Sequence, residues 1–72
     1  MAELILYKQK DIDSLYITAC LIKFCEHDPI QAEQCSLITK NCGECSIKVG
    51  NINDIFDIQG ELDTLGLQTN IK

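Results

Sequence analysis

The sequence predicts an α+β domain in the order strand, helix, helix, strand, helix, strand, with three short strands covered on one face by three helices. Three observations predict it. Short segments alternate apolar and polar residues, as half-buried strands do. Longer segments repeat apolar residues at spacings of three and four, as helices facing a core do. Helix-capping and helix-stopping residues stand between them. No repeat, linker or low-complexity stretch divides residues 1–72, so the expectation is one domain.

The first strand is expected over Met1–Tyr7, with Leu4 and Leu6 facing one way, Ile5 and Tyr7 the other. The polar run Lys8-Gln9-Lys10-Asp11 ends it. Asp11 or Asp13 can cap the next helix, because a short carboxylate accepts from the orphan amides of a first turn. Ile17, Cys20, Leu21 and Phe24 share one helical face, so this helix runs to about Cys25. Asp28-Pro29 starts the second helix, since proline at the first helical position gives up an amide that would have no partner. Gln31, three residues after Asp28, allows a capping box. The helix should end near Lys40, with Gly43 able to take the left-handed conformation beyond it.

Cys45, Ile47 and Val49 alternate with Ser46 and Lys48, which predicts a half-buried second strand, and Gly50-Asn51 turns. Ile55, Ile58, Leu62 and Leu65 mark the third helix, with Asn53 or Asp54 as its cap. Gly60 inside it costs about 1 kcal/mol relative to alanine. Gly66 stops that helix. Leu67, Thr69 and Ile71 then alternate with Gln68 and Asn70 as a last strand.

Composition narrows the function classes. A chain of 72 residues is small enough to be marginal in stability, but 46% hydrophobic residues are too many for a disordered one. Its longest apolar runs are too short to span a bilayer and no signal peptide opens it, so a membrane or secreted protein is not expected. Six lysines, no arginine and eleven acids leave a net charge of −5. Such a chain repels phosphate backbones, so nucleic acid is not an expected partner and a protein face is. The five cysteines are odd in number, which predicts reduced thiols in the cytoplasm, not a disulfide framework.

Few constellations carry chemistry. Cys42-Gly43-Glu44-Cys45 is a C-x-x-C, the pattern of a redox pair or half a zinc site. Here it follows a helix C-terminus, whose dipole disfavours a thiolate, and Cys25, His27 and Cys35 fit no standard zinc spacing. Packing cysteines, no metal and no cofactor are therefore expected. His27, the one histidine, lies between Glu26 and Asp28 with no paired nucleophile, and reads as a turn or capping residue. Asp54, Asp57 and Glu61 share a face of the third helix, which is either solvated or a docking surface for a basic partner. No phosphate loop, nucleophile elbow or catalytic carboxylate pair is present, so no enzyme is expected.

The run Leu21-Ile22-Lys23-Phe24-Cys25-Glu26-His27-Asp28-Pro29-Ile30-Gln31-Ala32-Glu33-Gln34-Cys35 resembles ClpS, the small adaptor of Clp proteases, in the form carried by Bacteroidetes-like bacteria. The resemblance continues through Gly43-Glu44-Cys45-Ser46-Ile47-Lys48-Val49-Gly50 to Leu65-Gly66-Leu67 and covers residues 4–72. It implies a two-layer sandwich of three antiparallel strands against three helices, a fold shared with the C-terminal domain of the ribosomal stalk protein. It also implies a cytoplasmic, non-enzymatic protein that docks on the N-terminal domain of a AAA+ Clp unfoldase of ClpA or ClpC type. Family members bind the N-terminal Leu, Phe, Tyr or Trp of a cargo peptide or protein. An apolar pocket takes the side chain and acceptors hold the α-ammonium group.

The chain departs from the family at that pocket. Where members carry Asn-Asp-Asp after the first strand, an ungapped match places Lys8, Gln9 and Lys10. Where they carry Val-His near the end of the second helix, it places Thr39 and Lys40. A gap of one or two residues would bring Asp11 or Asp13 to the site instead. Ile12 and Ile17 remain as apolar lining, so a degenerate pocket is expected. By position, docking on the unfoldase would use Asn53, Asp54 and Asp57. Members also carry an N-terminal extension that helps deliver cargo; three residues precede Leu4 here, which suggests docking without delivery. Two rivals stand beside the adaptor: a same-fold interaction module outside the Clp system, and a small metal- or redox-active cysteine protein.

Overall fold

In a computed structural model describing residues 1–72, the chain forms β1 (Ala2–Tyr7), α1 (Ser14–Cys25), α2 (Pro29–Cys42), β2 (Glu44–Gly50), α3 (Ile52–Thr64) and β3 (Thr69–Ile71). The six predicted elements form in the predicted order. β1 is central in a sheet of order β2-β1-β3, antiparallel to both neighbours. Ala2, Leu4 and Leu6 alternate onto the helix-covered face of β1. They meet Ile17, Cys20 and Leu21 of α1, Ala32 of α2, and Ile55 and Leu62 of α3 in one core. No helix is long and apolar enough to cross a membrane.

Local chemistry sets the helix ends. Asp13 caps α1 by accepting from the Leu15 amide at 2.9 Å. Asp28 caps α2 by accepting from the Gln31 amide at 2.7 Å; no reciprocal bond from the Gln31 side chain closes the box. α2 runs to Cys42, two residues past the expected end, and Gly43 then turns left-handed at φ 88°. At α3 the cap is Asn51, ahead of both Asn53 and Asp54. Its side chain accepts from the Asp54 amide at 2.9 Å and donates to the Asp54 carboxylate at 2.7 Å. That double contact starts the helix at Ile52 and absorbs Asn51 from the expected turn.

The alternation expected of β2 fails at one place. Leu4 faces Lys48 and Ile5 faces Ser46, so Ile47 has no partner across the ladder and forms a β-bulge. A bulge places two consecutive side chains on roughly the same face. Ile47 enters the core, 3% exposed, and Lys48 follows it toward the helices. The phase beyond is reversed. Val49, expected inside, lies opposite Glu3 on the open face and is 52% exposed. Lys48 reaches the end of α1, donating to the Cys25 carbonyl at 3.4 Å and standing 3.7 Å from the Glu26 carboxylate. A cation there complements the negative end of the helix.

Ile5 faces away from the helices and is still buried, at 3% exposed. Lys72, paired with Glu3 on one edge, forms a 3.6 Å ion pair with Glu44, paired with Tyr7 on the other. That pair bridges the two edge strands across the face Ile5 occupies.

Candidate functional site

The end of β1 is tied down on both sides. The Lys8 amide donates to the Gly43 carbonyl at 2.8 Å, on the β2 side. On the β3 side, the Gln9 side chain donates to the Gln68 carbonyl at 3.1 Å and accepts from the Gln68 amide at 3.0 Å. Gln9 also donates to the Tyr7 carbonyl. Its side-chain amide thus continues the β1–β3 ladder as a backbone unit would. The chain then crosses to α1 through Asp11, which is left-handed at φ 66°.

A concavity of about 200 Å³ opens between this connection, the first turns of α1 and the last turns of α2. Lys8, Gln9 and Ile12 line it from the connection, and Ser14 and Ile17 from α1. Ser36, Thr39 and Lys40 close it from α2. Residues 8–17 and 39–40 are far apart in sequence, and the antiparallel return of α2 along α1 unites them. Six of the seven pocket positions expected from the sequence, Lys8, Gln9, Ile12, Ile17, Thr39 and Lys40, meet here. Lys10 is exposed and does not line the hollow. Asp11 and Asp13 do not line it either, and the Asp13 carboxylate is turned onto the α1 amides. Ser14 and Ser36 are additions. Ser36 shares the helical face of Thr39 and Lys40 by its spacing, so the sequence carried that signal.

Three of the polar side chains of this hollow already hold hydrogen bonds of their own. The Thr39 hydroxyl donates to the Cys35 carbonyl at 2.8 Å, and the Ser36 hydroxyl to the Ser14 carbonyl at 3.4 Å. Gln9 is held by Gln68 and Tyr7. No carboxylate lines the hollow, and the ammonium groups of Lys8 and Lys40 make no ion pair. The site therefore offers an apolar floor, with Ile17 6% exposed, beneath two unpaired cations at the rim.

The docking positions lie on α3, where Asn53, Asp54 and Asp57 are all exposed. Ile52 and Phe56 on the same helix are exposed too, as is Val49 at the end of β2.

His27 sits in the turn between α1 and α2, as expected, and its backbone amide caps α1 by donating to the Leu21 carbonyl at 3.3 Å. It is 6% exposed, and its Nε2–H donates to the Ile47 carbonyl at 2.6 Å. It thereby ties the α1–α2 connection to the bulge of β2, while Nδ1 is buried without a partner. The sequence could not show this, because Ile47 is twenty residues away and its carbonyl is free only where the ladder skips it.

The cysteines are free thiols, and no group of three or more metal-ligating side chains comes together. Burial pushes Cys25 up to about 11, against the opposing pull of the Lys48 charge. Burial, reinforced by the neighbouring Cys35 sulfur, pushes Cys45 up to about 11 as well. A redox C-x-x-C needs a thiolate near neutrality, and this environment acts the other way. At pH 8 an alkylating reagent should modify exposed Cys42 first and Cys25 and Cys45 at least about tenfold more slowly, as peptide mapping of a time course would show. Both thiols ionise later in the fold than in the unfolded chain, where the value is 9.0. The stability they lend is present below pH 9.0 and is lost as pH rises toward 11.

No protein-family model matches the chain, and no curated protein matches it by sequence. Among solved structures, ClpS2 of Agrobacterium tumefaciens bound to L-phenylalaninamide superposes with a TM-score of 0.92 at 12% identity. The match covers 99% of this chain and 93% of that one. The chain has a ClpS-like fold.

Proposed function

We propose that the protein is a non-enzymatic, ClpS-like adaptor or modulator of an ATP-dependent Clp protease, a single domain that docks on the unfoldase N-terminal domain in the cytoplasm. The observation that carries this reading is convergence. Positions that the sequence resemblance assigns to one pocket gather around one hollow, in a fold like that of ClpS2, whose solved structure holds L-phenylalaninamide. That ligand combines an α-amine with an apolar side chain. Here the apolar floor is kept, but no carboxylate lines the hollow to hold an amine, and two unpaired cations line it. The protein then docks without binding standard N-terminal residues, and modulates the protease or competes with adaptors that do bind them.

Docking uses the end of β2 and the start of α3, which carry the acids Asp54 and Asp57 and the exposed apolar residues Val49, Ile52 and Phe56. Apolar contact supplies affinity, and the acids steer a basic partner. The test is a titration of a ClpA- or ClpC-type N-terminal domain against the purified protein. Binding should weaken at least about tenfold, and lose salt dependence, when Asp54 and Asp57 are both replaced by lysine. Circular dichroism of the variant controls for loss of the α3 cap. Unchanged affinity would remove this surface, and no binding of the unmodified protein would favour an interaction module outside the Clp system.

A further inference from the structure

We infer that the hollow between the β1–α1 connection and α2 binds the carboxyl-terminal residue of a peptide, with Lys8 and Lys40 holding the carboxylate and Ile12 and Ile17 receiving an apolar side chain. The inference rests on the reading of this hollow as a ligand pocket and reverses the sign of its ligand. The chain is acidic overall, at net −5, yet no carboxylate lines this opening. Two of its six lysines do, and neither ammonium group has an ion-pair partner. An α-ammonium group placed there would meet like charges with no carboxylate to offset them. A carboxylate meets two cations instead.

The floor adds the second half of the recognition. Ile17 is buried beneath the rim and Ile12 is half-buried beside it. A volume of about 200 Å³ accepts one branched aliphatic side chain with its backbone end. Within a peptide, a main-chain carboxylate and an apolar side chain share one Cα only at the last residue. That pairing separates a chain terminus from an internal acidic residue, whose carboxylate sits on the side chain itself.

The experiment measures fluorescence-anisotropy binding of an N-acetylated peptide ending in Leu with a free carboxylate. It is compared with the same peptide amidated, the same peptide ending in Asp-amide, and a Phe-initiated peptide with a free amine and amidated end. The free Leu carboxylate should bind at least about tenfold tighter than each of the others. That preference should fall to about twofold in Lys8→Gln/Lys40→Gln, which changes only exposed side chains. Equal binding of acid and amide, a preference that survives the double variant, full competition by millimolar acetate, or tighter binding of the Phe-initiated amine each overturns the inference. Titration of the unfoldase N-terminal domain on the same preparations keeps the two readings apart. Docking without a carboxylate preference defeats this inference alone, and a preference without docking supports it while defeating the Clp reading.

Discussion

Combining Lys8→Asn, Gln9→Asp and Lys40→His is expected to raise affinity for a Leu- or Phe-initiated peptide at least about tenfold over the unmodified protein. On the proposed reading of the site, the unmodified pocket disfavours an α-ammonium group in two ways. One cation at about 5 Å costs roughly 1 to 3 kcal/mol at an effective dielectric between 80 and 20. Each missing charge-assisted hydrogen bond forgoes about 1.5–3 kcal/mol. Together these predict at least about a hundredfold deficit relative to a pocket furnished with acceptors. The substitutions remove both cations and add a carboxylate. They also break the Gln9–Gln68 pairing that continues the β1–β3 ladder, so a stability cost of about 1 kcal/mol should accompany the gain. Anisotropy titrations with Phe-initiated peptides, beside a thermal melt, measure both effects. Micromolar binding of such peptides by the unmodified protein would refute this account of the site.

The second large effect is on stability. Ile47→Ala should cost about 2–5 kcal/mol, because the side chain is 3% exposed in the core and its removal leaves a cavity. That is a large share of the total stability of so small a domain. Val49→Ala, two residues along the same strand, should cost about 0.5 kcal/mol or less, since its side chain is 52% exposed on the open face. Strict alternation would make the two residues equivalent. Urea unfolding followed by circular dichroism decides the matter, and equal losses would mean that the bulge at Ile47 does not form.

The contrast between these two residues marks where the sequence stops being informative. The helix ends were legible at Asp13, Asp28, Gly43 and Gly66, because capping and left-handed turns depend on a few adjacent residues. The α3 cap was misplaced because Asn51, Asn53 and Asp54 are chemically interchangeable as caps. Only the point where β2 ends selects Asn51. The ring contact of His27 was illegible for a related reason: its partner is a carbonyl released by the bulge, twenty residues away.

By itself the sequence determined the six elements, their order, and the core stripes of α1 and α3. Those follow from periodicity and local hydrogen bonding, which act over three or four residues. It also named six of the eight residues around the hollow, through resemblance and not through spacing. Only the tertiary structure decided that these residues meet, that Lys10, Asp11 and Asp13 stand outside, and that Gln9 is already engaged by Gln68. Those facts depend on strand register and on the return of α2 along α1. Both are set by packing between segments distant in the chain, and no local pattern encodes them.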